Sequence, residues 1–312
     1  MCNRGSSRVG LIPIAIVLSL ALLTSPDASA QIVVGDSGVG YIDSAVPGNQ
    51  VRLRFDSASS SRFADRAEFV YAQYGVAGAP KLERGIDHFQ EVAAYLEWQR
   101  FENLSLFAEV PYRWIDPVVN DNTSNLYDMQ AGLKASLLES ENAILTAQLK
   151  GYFPTGDASK SLSTDHVSLE PGLLSLMRPS EDLTIESELR YWIPIGGSTA
   201  PPTSGTGPSR DFAGGVLRYG IGASYKAHQG PALNVSPVAE IVGWHVFSGL
   251  RSDASGQRNS ATNDAIVNLK LGLRIAASQS ASPTSFYVGY GTVLTDQNWY
   301  SNILRLELRH AF

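Results

Sequence analysis

Only one cysteine occurs in the 312 residues, Cys2, and it stands ahead of the first apolar run. A disulfide framework and thiolate metal sites are therefore excluded. A cysteine placed before such a run, rather than just after it, cannot serve as a lipoprotein attachment site either. The chain has no basic block and carries a formal net charge of −6, so nucleic acid is not an expected partner. Beyond residue 30 no apolar run approaches the roughly 20 residues of a transmembrane helix. The histidines are scattered and lack the close spacing of a metal site, and neither a metal nor another cofactor is expected.

The N-terminus carries Arg4 and Arg8, then LIPIAIVLSLALL over Leu11 to Leu23, then Ala28-Ser29-Ala30. Basic, apolar and small-residue regions in that order form the layout of a secretory leader. Residues 1–30 are thus expected to be a signal peptide, the alternative being a membrane anchor. The remainder of the chain is rich in Gly, Tyr, Ser and Thr, a composition suited to β-structure.

Period-two alternation recurs from about residue 66 to the end. In DAIVNLKLGLRIA, Ala265, Val267, Leu269, Leu271, Leu273 and Ile275 form one face, and Asn268, Lys270, Gly272 and Arg274 the other. In LTIESELRYWI, Leu183, Ile185, Leu189, Tyr191 and Ile193 oppose Thr184, Glu186, Glu188, Arg190 and Trp192. A helix would scatter these residues around its circumference. Strands are expected at 66–74, 88–100, 104–115, 126–139, 143–154, 166–178, 183–195, 212–226, 233–247, 264–277, 285–294 and 303–312. A bulge is expected in 233–247, where Glu240 shares parity with Val238, Val242 and Trp244. The register of 285–294, with aromatics on both faces, is left open.

The links between these strands alternate between short turns such as FEN and PSED and long loops such as GGSTAPPTSGTGPSRD. Short turns on one rim and long loops on the other describe an all-β, antiparallel up-and-down transmembrane β-barrel of the outer-membrane type. The expected layout is a 66–312 barrel of about 12 strands with both termini on the periplasmic, short-turn side. Its expected surroundings are outer-membrane lipid and lipopolysaccharide, and the rival fold is a soluble β-sandwich or lipocalin-like barrel. Trp114, Trp192, Trp244 and Trp299 fall near the outer rim and Trp98 near the inner one, as girdle aromatics do. Residues 31–65 are set aside as a periplasmic or lumen segment. VRLRFD within it alternates well, but a thirteenth strand would separate the termini.

The chain closes on NILRLELRHAF. Leu304, Leu306, Leu308 and Phe312, with His310 where Tyr or Phe is more usual, resemble the C-terminal assembly signal of bacterial outer-membrane proteins. That resemblance implies the barrel assembly machinery as a partner. In the middle, Pro154-Thr155-Gly156-Asp157 and Glu170-Pro171-Gly172 resemble the family of outer-membrane transporters named for the phenol-degradation meta-pathway. That family implies passive uptake of small, hydrophobic or aromatic solutes. Pro-Thr-Gly-Asp is equally ordinary turn chemistry.

Assigning the polar face of each strand to the lumen gives a charge map. Glu91, Glu97, Glu109, Asp128, Glu170, Glu186 and Glu188 stand against Arg113, Lys134, Lys150 and Arg190 on one wall. Arg218, Lys226, Lys270, Arg274, Arg305 and Arg309 stand against Glu240 and Glu307 on the other. Either a transverse field crosses an open pore, or the groups pair and fill a narrow lumen. A non-conducting structural or ligand-binding barrel is the second reading. A barrel lipid hydrolase is the third, and it is weakened because the separation of His245 and Ser248 puts them on opposite faces of a strand. No catalytic residue is assigned.

Overall fold

The structure is a computed structural model, and it describes residues 38–61, 85–196, 199–200, 210–211, 213–252, 258–278, 283–296 and 299–312. Twelve antiparallel strands form one closed wall. They are β1 (Gln50–Ser61), β2 (Ile86–Phe101), β3 (Leu104–Pro117), β4 (Met129–Ser140), β5 (Ala143–Phe153) and β6 (Val167–Met177). The second half comprises β7 (Leu183–Ile195), β8 (Val216–Tyr225), β9 (Leu233–Val246), β10 (Ala265–Ala277), β11 (Thr284–Val293) and β12 (Asn302–Ala311). Each pairs with its neighbour in sequence, and β1 closes the ring on β12 from Gln50↔Ala311 to Ser59↔Asn302. A short piece, Thr123–Leu126, pairs with the outer end of β3 ahead of β4. With 10 to 16 residues each, the strands can cross a bilayer at a tilt, for which roughly 9–11 suffice.

The assignment of the first wall strand is corrected. The first wall strand is Gln50–Ser61, within the segment set aside above, and the stretch 66–74 lies outside the described residues. β1 pairs directly with β2 from Gln50↔Glu97 to Ser61↔Ile86. The alternation of VRLRFD is a true strand signal; counting 66–74 as well is what made the number of strands odd.

The outer surface is apolar where it meets lipid. Leu189, Ile193, Ile221, Ile241, Leu271, Phe286 and Tyr290 are exposed on the outside of the barrel, while most of their sequence neighbours of opposite parity, such as Glu188, Trp192, Glu240, Lys270 and Tyr287, are buried. On β11, Phe286 and Tyr290 face out and Tyr287 is buried inside, which settles that strand's register. This band places the barrel in the outer membrane.

β9 contains no bulge: its pairing with β8 and β10 runs without a register shift. Its inward face carries Val238 and Val242 on either side of Glu240, and the two valines pack, with Tyr287, against Val39 and Ile42 inside the barrel. The tryptophans also depart from expectation. Trp98 is exposed at the inner rim, but Trp192 is 2% exposed and Trp299 5% exposed, both turned inward. Trp299 packs on Trp244 with ring centroids 4.7 Å apart. Their height on the wall matches a girdle; their side of it does not.

Candidate functional site, the occupied lumen

Residues 38–49 have no strand partner, yet they run inside the wall. A backbone so placed must have its N–H and C=O groups satisfied by something other than a ladder. Here the wall supplies carboxylates. Gly38 and Val39 donate to Glu186 Oε1 at 2.7 and 3.4 Å. Gly40 donates to Glu240 Oε2 at 3.2 Å, and Tyr41 and Ile42 to Glu240 Oε1 at 2.9 and 3.1 Å. Asp43 N–H donates to Glu188 at 3.1 Å and Gly48 N–H to Glu97 at 3.3 Å.

Wall donors answer the carbonyls. Arg274 donates to the carbonyls of Gly38 and Val39, Arg305 to that of Gly40, and Thr146 to that of Ala45. Two glycines allow the close approach: a Cβ on Gly40 would enter the ring of Tyr287, and one on Gly38 the side chain of Ser224. The Asp43 carboxylate meets Lys150 at 2.7 Å, Gln148 at 3.2 Å and Arg190 at 3.3 Å. Burial pushes the Asp43 carboxyl up, but Lys150 and Arg190 outweigh it and hold the group well below the usual carboxylate range.

Most of the wall charges are paired rather than segregated. Glu97, fully buried, accepts from Lys134 at 2.9 Å, Tyr95 at 2.6 Å, Ser105 at 2.5 Å and Gln50 at 2.9 Å. Glu109 and Glu91 both take Arg54, at 3.0 and 2.9 Å, and Glu91 also takes Arg113. Glu170 binds Arg190 at 2.6 Å and Arg218 at 3.2 Å, and Glu188 binds Arg190 at 2.9 Å. Glu307 binds Arg309 at 2.9 Å, Arg274 at 3.1 Å and Arg52 at 3.8 Å. Asp56 holds Arg305 through two bonds of 2.7 and 2.8 Å. Arg52, Arg54 and Asp56 come from β1, so the strand missing from the charge map is the one that joins its two walls. A buried ion left without its partner costs about 3–5 kcal/mol, which ties these residues to one another. Lys226 is the exception to the inward assignment: it is exposed at a short turn and donates to the Glu181 carbonyl.

Apolar side chains pack together at the outer end of the lumen. Ile86, Phe89, Ile115, Leu162, Trp192, Val216, Ile266, Trp299 and Ile303 form one buried cluster there, drawn from strands all round the barrel. Leu162 reaches it from the loop that the Pro154-Thr155-Gly156-Asp157 turn begins. Asp157 caps the 158–160 turn, its carboxylate accepting from Ser159 N–H at 3.1 Å. Thr155 bonds the Met129 N–H and the Tyr127 carbonyl. The buried Asp128 carboxylate accepts from Gly156 at 3.3 Å and from Thr164 at 2.7 and 2.8 Å. The motif is thus a latch that seats Leu162. In Glu170-Pro171-Gly172 the paired ladder between β6 and β7 skips from Leu169 to Gly172, as expected where Pro171 has no N–H to give.

At the C-terminus Leu304 and Leu308 face lipid, Leu306 is half-buried on the same face, and His310 bonds Thr284. Phe312 N–H donates to the Asn49 carbonyl at 3.0 Å, fastening the last residue to the start of β1. Ser248 accepts from Gly215 N–H, and the His245 ring packs on Phe247. Sequence reasoning missed Tyr41 and Asp43; the spaced glycines of Gly38-Val39-Gly40-Tyr41 were the available signal.

No family model matches the sequence, and no curated protein matches it. Solved structures do match. An outer membrane channel from Pseudomonas putida F1 is 12% identical with a TM-score of 0.54, over 87% of this chain and 97% of that one. The NanC porin is 9% identical with a TM-score of 0.44, over 85% and 99%. LpxR from Salmonella typhimurium is 10% identical with a TM-score of 0.41, over 84% and 100%. At such identities the first of these speaks for the barrel fold, and the other two, with their lower scores, add nothing to it.

Proposed function

We propose that this barrel is an outer-membrane channel for small solutes, held shut in the state described by residues 38–49. One observation carries the reading: the wall closes through β1 and β12 without that segment, which is held by side chain-to-backbone bonds and ion pairs rather than by strand pairing. Such a segment can leave while the ladder stays whole. The solutes are the small, hydrophobic or aromatic ones that the family resemblance implies. The paired lumen charges favour weak ion selectivity once the segment is out. Phe312 and the alternate leucines before it would serve recognition by the barrel assembly machinery, and the outward apolar band contacts lipid and lipopolysaccharide.

Proteoliposome swelling tests this function. Removing residues 38–49 should raise the uptake rate of small sugars and aromatic alcohols at least tenfold over the full chain; equal rates would overturn the gated channel. The apolar cluster at the outer end favours a second reading, a non-conducting barrel, and that reading predicts no uptake by either form.

A further inference from the structure

Lys270 is fully buried on the inward face of β10. Among the described residues no carboxylate lies within ion-pair distance of its ammonium group, which donates to Tyr300 Oη at 2.7 Å and stands 4.6 Å from that ring's centroid and 4.2 Å from that of Tyr41. The two nearby acids are committed elsewhere: Asp56 to Arg305 and Arg54, and Glu240 to the backbone of 40–42 and to Tyr287. A buried cation without a counter-ion is costly, and ring faces compensate it only in part.

Tyr41 is the only one of these rings that the removable segment brings. Arg305 also stands over it, 4.1 Å from the centroid, and Tyr287 meets it edge-on at 6.3 Å. Tyr41 nevertheless fits imperfectly: among the described residues its buried hydroxyl has no hydrogen-bond partner, and neither has Oδ1 of Asn268, two residues from Lys270 on the same face. The ring therefore fills an aromatic-sized space beside a cation and a polar group that it does not satisfy.

We infer that the space occupied by the Tyr41 ring, beside Lys270, Tyr300, Tyr287, Arg305 and Asn268, is a binding site for small aromatic carboxylates. The aromatic walls and cations take the ligand's ring, and Lys270 takes its carboxylate. This deepens the channel reading and rests on it, since in that reading departure of 38–49 carries Tyr41 away and frees the site for solute. The assigned class is anionic, because a neutral ring would leave Lys270 as it is now.

Tyr41→Ala tests the site without moving the segment, whose docking bonds are made mostly by its backbone. Truncating a buried ring leaves a cavity that can accept a ring-sized ligand. With the barrel verified by heat-modifiable migration, benzoate should bind the Tyr41→Ala protein by calorimetry and raise its melting temperature. Binding should weaken at least tenfold when Lys270→Met is added, and phenol should bind at least tenfold more weakly than benzoate. Tyr41→Phe, which keeps the ring, should bind none. Absence of benzoate binding by folded Tyr41→Ala, unchanged binding with Lys270→Met, parity with phenol, or binding by Tyr41→Phe would each overturn the assignment. The channel reading fails separately, if removal of 38–49 leaves conductance unchanged.

Discussion

Glu240→Ala removes one carboxylate from the inner face of β9 and leaves the wall ladder untouched, since that ladder is made by backbone groups. What it takes away is the acceptor for three consecutive N–H groups, at 3.2, 2.9 and 3.1 Å, and for the Tyr287 hydroxyl at 3.3 Å. A hydrogen bond to a charged group contributes about 1.5–3 kcal/mol, and a buried donor left unmatched costs about 1–3 kcal/mol. Water entering the vacated volume would recover part of this. Taking about half of the lower sum for the three N–H groups leaves roughly 2–3 kcal/mol of lost docking free energy. That raises the undocked fraction roughly 30- to 150-fold.

Ser44→Cys provides the reporter. Ser44 is 3% exposed within the segment, and the chain beyond Cys2 has no other thiol. Maleimide labelling of refolded protein should be slow with Glu240 present and faster by one to two orders of magnitude with Glu240→Ala. A labelling rate unchanged within twofold, with the barrel folded, would refute the claim that this carboxylate holds the segment.

Gly40→Ala should speed labelling of the same Ser44→Cys reporter, because the added Cβ meets the Tyr287 ring; an unchanged rate would contradict the close packing described. The pH response follows from Asp43, whose carboxyl gains Lys150 and Arg190 only when the segment is docked and is held low by them against the effect of burial. Its contribution is fully present above the unfolded carboxylate value and is lost as pH falls through the depressed docked one. Conductance should therefore stay low from pH 7 down to about 4 and rise only below that; a rise between pH 7 and 5 would contradict it. Asp128→Ala removes the acceptor of Gly156 and Thr164 and should cost about 2 kcal/mol of latch stability, seen as faster cleavage within 155–165 by added protease; an unchanged cleavage pattern would contradict the latch. Phe312→Ala should lower the amount of barrel assembled in the outer membrane while leaving refolded protein equally heat-stable; normal assembly would remove Phe312 from the signal.

Eleven of the twelve wall strands were legible from alternation, because a barrel wall facing lipid on one side and polar groups on the other writes its period directly into the sequence. Glu97, Glu109, Glu170, Glu186, Glu188, Lys270, Arg274 and Arg309 are buried and Arg305 half-buried, on the parity that the alternation assigned to the lumen; that their charges line a conducting path belongs to the proposal. β1 was legible as a strand but not as a wall strand, since its place depended on a parity count that included 66–74. The partners that Glu186 and Glu240 find in residues 38–42 could not be read at all: they are backbone N–H groups, which every residue but proline carries. Trp192 and Trp299 misled because a strand's outer end encodes depth in the membrane, whereas the choice of inside or outside there depends on what fills the mouth.

Single-channel recording in a planar bilayer tests the gated lumen most directly, comparing the refolded chain from residue 31 with the same chain lacking 38–49. The full chain should be quiet apart from rare openings, and the shortened one should show frequent discrete steps with a reversal potential near zero in a salt gradient. Identical step size and frequency in the two would show that residues 38–49 do not close this barrel.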